Sequence, residues 1–200
     1  MLKTKIAVLV SGGGTNLQAL IDSDVIKSGE IVLVVSNNPD AYALERAEKA
    51  GIKTSVVPKK GVEQSVFEKN LISVLEENGI ELIILAGFMC ILSENFTSKY
   101  PKRIINVHPS LIPSFCGKGF YGLHVHEAAL EYGVKVTGAT VHYVNEIPDG
   151  GEIILQKAVE IEPDDTPEIL QKRVMEQAEW KLLPAAAEIV SAKLREEKGE

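Results

Sequence analysis

Residues 7–20, AVLVSGGGTNLQAL, run from an apolar stretch through three consecutive glycines into a helix-forming segment that opens on Thr15 and Asn16. A strand that turns through glycines straight into a helix is the first βα unit of a parallel sheet, and the same alternation recurs outward from it. Strands are expected at Lys5–Val10, Ile31–Ser36, Thr54–Val57, Leu82–Ala86 and Ile104–Val107, with helices near Asn16–Lys27, Ala41–Ala50 and Val62–Asn78. In the last of these, Phe67, Leu71, Val74 and Leu75 share one face, and Gly79 stops the helix. Past residue 100 the pattern changes. A Pro/Gly-rich loop spans Pro109–Gly122, a short helix follows near His124–Tyr132, and two long strand-like runs, Lys135–Val144 and Glu152–Glu160, flank NEIPDGG. Thr166 caps a final helix with Pro167 at its first position, expected to run through Trp180, with KLREEKGE fraying beyond it. The reading is α/β, one domain over residues 1–200.

Composition narrows the function classes. Lys and Arg number 21 against 28 Asp and Glu, a formal charge of −7, which disfavours a polyanionic partner such as nucleic acid. The longest apolar stretch, Leu82–Leu92, falls short of the roughly 18 residues that span a bilayer, and the N-terminus lacks a signal-peptide pattern, so a cytoplasmic protein is expected. Cys90 and Cys116 make neither a disulfide framework nor a CxxC knuckle.

The glycine loop invites an anion. Glycines let backbone amides approach a ligand, and Gly12, Gly13 and Gly14 followed by Thr15 and Asn16 suit a phosphate, although a tight turn needed only for packing would use the same residues. A dinucleotide fingerprint would need glycine where Leu17 stands and an acid where VVSNNPD offers Ser36 and Asn37, and no Walker lysine follows the loop. A monophosphate cradle fits better.

Ligands of open α/β sheets bind beyond the strand carboxyl ends, where Ser11–Asn16, Gly87–Leu92 and Asn106–His108 all lie. On an extended segment Asn106 and His108 face one side, and Pro109 keeps His108 extended. Asn supplies a neutral N–H donor for a developing oxyanion; a carboxylate beside His, from Asp149 or Glu146, favours the imidazolium. No nucleophile elbow or paired Cys–His accompanies them, so the attacking group belongs to the substrate. His124 and His126 do not share a helix face, which argues against a metal site and for surface or lid positions; His142 lies within a strand, with no ligand contact inferred.

Together SGGGTNLQAL, LAGFMCILS, INVHPSLIPSF and VHYVNEIPDGGEIILQ resemble the folate-dependent phosphoribosylglycinamide formyltransferases over nearly the whole chain. The resemblance implies a mostly parallel, Rossmann-like twisted sheet flanked by helices, with residues 1–100 as a phosphate-binding half and 101–200 as a catalytic and folate-binding half. It implies formyl transfer from 10-formyltetrahydrofolate, a cosubstrate, to glycinamide ribonucleotide without a metal. By position it makes Asn106, His108 and Asp149 the catalytic trio and puts the substrate phosphate and ribonucleotide at Gly13, Gly14, Thr15, Asn16 and Glu179. The folate falls to Phe88, Met89, Cys90, Ile91 and Leu92 with Val144, Asn145 and Glu146. Departures from the pattern are Cys90 and Gln64, each where relatives often carry arginine, a longer loop SFCGKGFYGLH with Lys118, and one additional residue between Gln177 and Glu179.

Two related enzymes share parts of this pattern. Formyltetrahydrofolate deformylases use water as acceptor and usually carry an N-terminal regulatory domain, whereas the glycine loop here begins at residue 11; methionyl-tRNA formyltransferases need a further C-terminal domain and a basic face. A non-catalytic phospho-ligand binding module would explain the glycine loop alone.

Overall fold

The structure, a computed structural model, describes residues 2–199. Seven strands form one sheet in the order β3-β2-β1-β4-β5-β6-β7. They are β1 (Thr4–Val10), β2 (Gly29–Ser36), β3 (Lys53–Val56), β4 (Leu82–Leu85), β5 (Ile104–His108), β6 (Val136–Tyr143) and β7 (Ile153–Glu160). The first five pair in parallel and the last two antiparallel, so one sheet runs through both halves of the chain. The helices are α1 (Thr15–Ile21), α2 (Tyr42–Lys49), α3 (Gln64–Glu77), α4 (Glu94–Thr97), α5 (Leu123–Tyr132), α6 (Pro167–Val174) and α7 (Trp180–Glu197). A five-residue turn of π geometry, Met175–Glu179, joins α6 to α7.

Period-two alternation assigns each strand residue to a layer. Ile6, Val8 and Val10 pack with Leu17, Ala43, Ala47 and Val190 from α1, α2 and α7, while Ala7 and Leu9 pack with Phe67, Leu71, Leu75 and Phe96 from α3 and α4. Both faces of β1 and β4 are therefore covered, which is why their sequences read as unbroken apolar runs. No helix among the described residues is long and apolar enough to cross a membrane.

Two expected boundaries move. Helix α1 ends at Ile21 rather than Lys27, because the Ser23 hydroxyl accepts from the Val25 amide and the Glu188 carboxylate of α7 accepts from the Lys27 and Ser28 amides at 2.7 and 2.8 Å. Side-chain acceptors here outcompete the helix ladder. At the other end, α7 continues to Glu197 instead of fraying: Arg195 donates to the Thr4 hydroxyl at 3.0 Å and pairs with Glu81, as does Lys198.

Candidate active site

Strand β5 places Asn106 and His108 at its carboxyl end on one side, and its antiparallel partner β6 sets His142 directly across from Asn106. The loop after β6 brings Asp149 back over both. Asp149 has φ +56°, and Gly151 cannot carry a side chain, since a Cβ there would collide with the Tyr143 carbonyl. The tight path of this loop is thus a steric requirement at Gly151. Asp149 Oδ2 stands 3.5 Å from His108 Nδ1 and its Oδ1 3.5 Å from His142 Nε2, while Glu146 is exposed at the cavity rim. Of the two acids left open by the residues alone, Asp149 is the one that faces the imidazoles.

Carbonyl partners fix the tautomers, because a carbonyl only accepts. His108 Nε2–H donates to the Phe115 carbonyl at 2.8 Å, so the nitrogen that titrates is Nδ1, facing Asp149. His142 Nδ1–H donates to the Tyr143 carbonyl at 2.8 Å, leaving a lone pair on Nε2 for an Asn106 amide N–H at 3.3 Å. The second amide N–H of Asn106 is left for the cavity.

Burial pushes the His108 imidazole below its ordinary value, opposed by the Asp149 charge and the Phe115 carbonyl. Burial pushes Asp149 up, but the neighbouring His108 and the Gly117 amide, which donates at 2.8 Å, work against it and the carboxyl is held low. This is an acid–base pair held part-way toward charge separation in a half-dry setting.

These groups border a cavity of about 730 Å³. Phe88, Met89, Cys90, Ile91, Leu92, Val144, Asn145 and Glu146 all line it, as do Asn16 and Glu179. Gly13, Gly14 and Thr15 do not line it; they stand one step back, where a side chain at Gly12 or Gly13 would meet open space. Gly14 differs, with φ +74° and Ala43 Cβ 2.7 Å from where its own Cβ would be, so packing demands glycine there. Asn16 donates to Glu179 at 2.8 Å, and Thr15 reaches Met175 Sδ at 3.8 Å, so the start of α1 docks on both ends of the π turn. That turn absorbs one extra residue and keeps Glu179 buried against Asn16. Burial pushes Glu179 up to about 7, and Asn16 Oδ1 is buried with no partner.

Two histidines depart from expectation. His126 is not a surface residue but fully buried in the cavity wall, held neutral by burial and by His108, which push its pKa down to about 4. His124 points outward to Glu127. The signal was its spacing: His126 stands three residues before Ala129, which is also buried. His142 is the residue that sequence reading missed, because only the antiparallel register reveals what lies opposite it.

A comparison with known families matches residues 4–187 to the formyl transferases. The chain belongs to the formyl transferase family. This formyl transferase is 42% identical over 185 residues to a phosphoribosylglycinamide formyltransferase of Haemophilus influenzae, covering 90% of this chain and 84% of that one. It is 48% identical over 193 residues, 95% of its length, to the trifunctional purine biosynthetic protein adenosine-3 of Gallus gallus. It spans only 19% of that longer protein. Among solved structures, glycinamide ribonucleotide transformylase 1 from Symbiobacterium toebii superposes with a TM-score of 0.88 at 38% identity, covering 96% of this chain and 89% of the other. The expected mostly parallel, helix-flanked sheet is the sheet this formyl transferase has.

Proposed function

We propose that this formyl transferase moves the formyl group of 10-formyltetrahydrofolate to the amino group of glycinamide ribonucleotide, a step of purine biosynthesis, as the names of its relatives suggest. One observation carries the reading: Asn106, His108 and Asp149 converge on a cavity bordered on one side by the apolar 88–92 segment and on another by Asn16 and Glu179. Cys90, the cysteine in the cavity lining, is kept as a thiol by burial, which outweighs the Asn37 donor 2.9 Å from its sulfur. The substrate amine therefore attacks.

In this mechanism the amine nitrogen bonds to the formyl carbon and the carbonyl electrons move onto oxygen. The free Asn106 N–H donates to that oxyanion. His108 Nε2–H joins it by exchanging the Phe115 carbonyl for the formyl oxygen. Asp149 opposes the burial that disfavours a charged His108, so the imidazole can take up the proton lost by the amine and pass it to N10 as the carbon–N10 bond breaks. His142 orients the Asn106 amide. Asn16 and Glu179 face the ribonucleotide, with the amides around Gly13, Gly14 and Thr15 on its phosphate, while Phe88–Leu92 and Val144–Glu146 hold the pterin. Residues 1–100 thus supply the phosphate loop and residues 101–200 the catalytic trio, while the acceptor and donor sites each draw on both. Two free thiols fit a reducing, cytoplasmic setting.

The test is folate absorbance after mixing protein with 10-formyltetrahydrofolate, with and without glycinamide ribonucleotide. Turnover only with the ribonucleotide is expected. Turnover without it would make the protein a deformylase, and none in either case would leave a binding module.

A further inference from the structure

Residues 88–93 belong to no helix and no strand, so no regular ladder fixes the wall they form. Side chains fix it instead. The Met89 amide donates to Ser11 Oγ at 2.8 Å, and Asn37 donates to Cys90 Sγ. The remaining ties come from one face of α3, at positions i, i+3 and i+4. Gln64 Nε2 donates to the Ile91 carbonyl at 3.1 Å, the Phe67 ring stacks on Phe88 at 6.5 Å between centroids, and Glu68 accepts from the Ser93 amide at 2.7 Å and the Ser93 hydroxyl at 2.5 Å. Gln64 also donates to Glu68 at 2.6 Å, joining the two ties. The backbone is held while Met89 and Ile91 stay 57% and 67% exposed, free to meet a ligand.

Glu68 is only 5% exposed and lies beside Phe67 and Leu71 of the apolar layer, yet it does not line the cavity. Burying a carboxyl there is costly, and an apolar side chain would suit the layer better. What the carboxyl provides is two acceptor oxygens for donors at the end of the wall. Gln64, half-buried, turns its amide to the same task.

We infer that Glu68, assisted by Gln64, is a positioning residue that sets the shape of the 88–92 wall and thereby the affinity for the folate donor. The inference rests on the proposed function for the identity of that ligand. The test is steady-state kinetics of Glu68→Leu, Glu68→Gln and Gln64→Leu in the full chain, with each substrate varied in turn and circular dichroism to verify folding. Glu68→Leu leaves the Ser93 donors unpaired and should raise the donor KM about tenfold, with kcat and the ribonucleotide KM within about twofold. Glu68→Gln should restore the donor KM to within about threefold, because an amide can accept from the Ser93 N–H and donate to its hydroxyl. Gln64→Leu, on an accessible helix start, should raise the donor KM about threefold and covers the case in which Glu68→Leu does not fold.

An unchanged donor KM in a folded Glu68→Leu or in Gln64→Leu would overturn the inference. So would equal rises in both KM values, or a Glu68→Gln as impaired as the leucine variant. If wild-type protein lacks turnover, the proposed function falls, and calorimetric titration of 10-formyltetrahydrofolate into wild type and variants decides the wall separately. Equal or absent binding across them refutes it.

Discussion

Asp149→Asn changes a charge and little else, so it isolates what the carboxylate does for His108. With the negative charge gone, burial is opposed only by the Phe115 carbonyl, and the imidazole loses its proton at lower pH than in the wild type. Activity that needs imidazolium falls as pH rises through that value, so the descending limb of the kcat profile should move to lower pH, with kcat at neutral pH reduced roughly a hundredfold and KM values little changed. A profile that stays in place would show that Asp149 acts by other means. His142→Leu tests the neighbour: Asn106 loses its acceptor and its rotamer is freed, so kcat should drop about tenfold with the fold intact. Undiminished kcat would mean that Asn106 is oriented without it. At this scale the shared face of Asn106 and His108 was readable from their i, i+2 spacing, whereas the choice of Asp149 over Glu146 needed the path of the loop. His142 was not, because its meeting with Asn106 depends on pairing between strands 36 residues apart.

Among the elements, the glycine loop combines two demands that look alike in sequence. Gly14 is needed for its positive φ and its contact with Ala43, whereas Gly13 borders open space. Gly14→Ala should therefore destabilise the protein by about 1–3 kcal/mol, visible as a lower Tm. Gly13→Asp should melt nearly as the wild type does but raise the KM for glycinamide ribonucleotide at least about tenfold, a carboxylate facing a phosphate. Were the two variants to exchange behaviours, the anion would sit elsewhere. Strand and helix order was legible because apolar period and glycine punctuation are short-range signals. The end of α1 was not, because the acceptor that takes over its backbone is Glu188, on a helix formed far along the chain. The π turn is a similar case, since no local pattern in Met175–Glu179 announces it.

For the whole molecule, the decisive contacts join the chain's ends. Arg195 of the last helix and Lys198 just past its end meet Glu81 beside β4, and the Thr4 hydroxyl donates to the Ser191 carbonyl at 3.0 Å. Burial pushes the Glu81 carboxyl up, but Lys198, the Lys5 amide and Arg195 outweigh it and bring it from 4.5 to about 2. A folded value below the unfolded one stabilises above about pH 4.5, and that contribution is lost as pH falls toward 2. Glu81→Gln should accordingly lower Tm at pH 7 and lose that deficit in acid, as thermal melts across the range would show; a deficit of constant size would refute the assignment. A tail of KLREEKGE looks like a fraying end from composition alone, and only its distant partner shows otherwise. The same stitching puts both ends of the described chain at the amino edge of the sheet, while the cavity opens beyond the carboxyl edge. A second polypeptide fused at either end, or a surface to which the protein is tethered there, would hang behind the cavity and leave its mouth unobstructed.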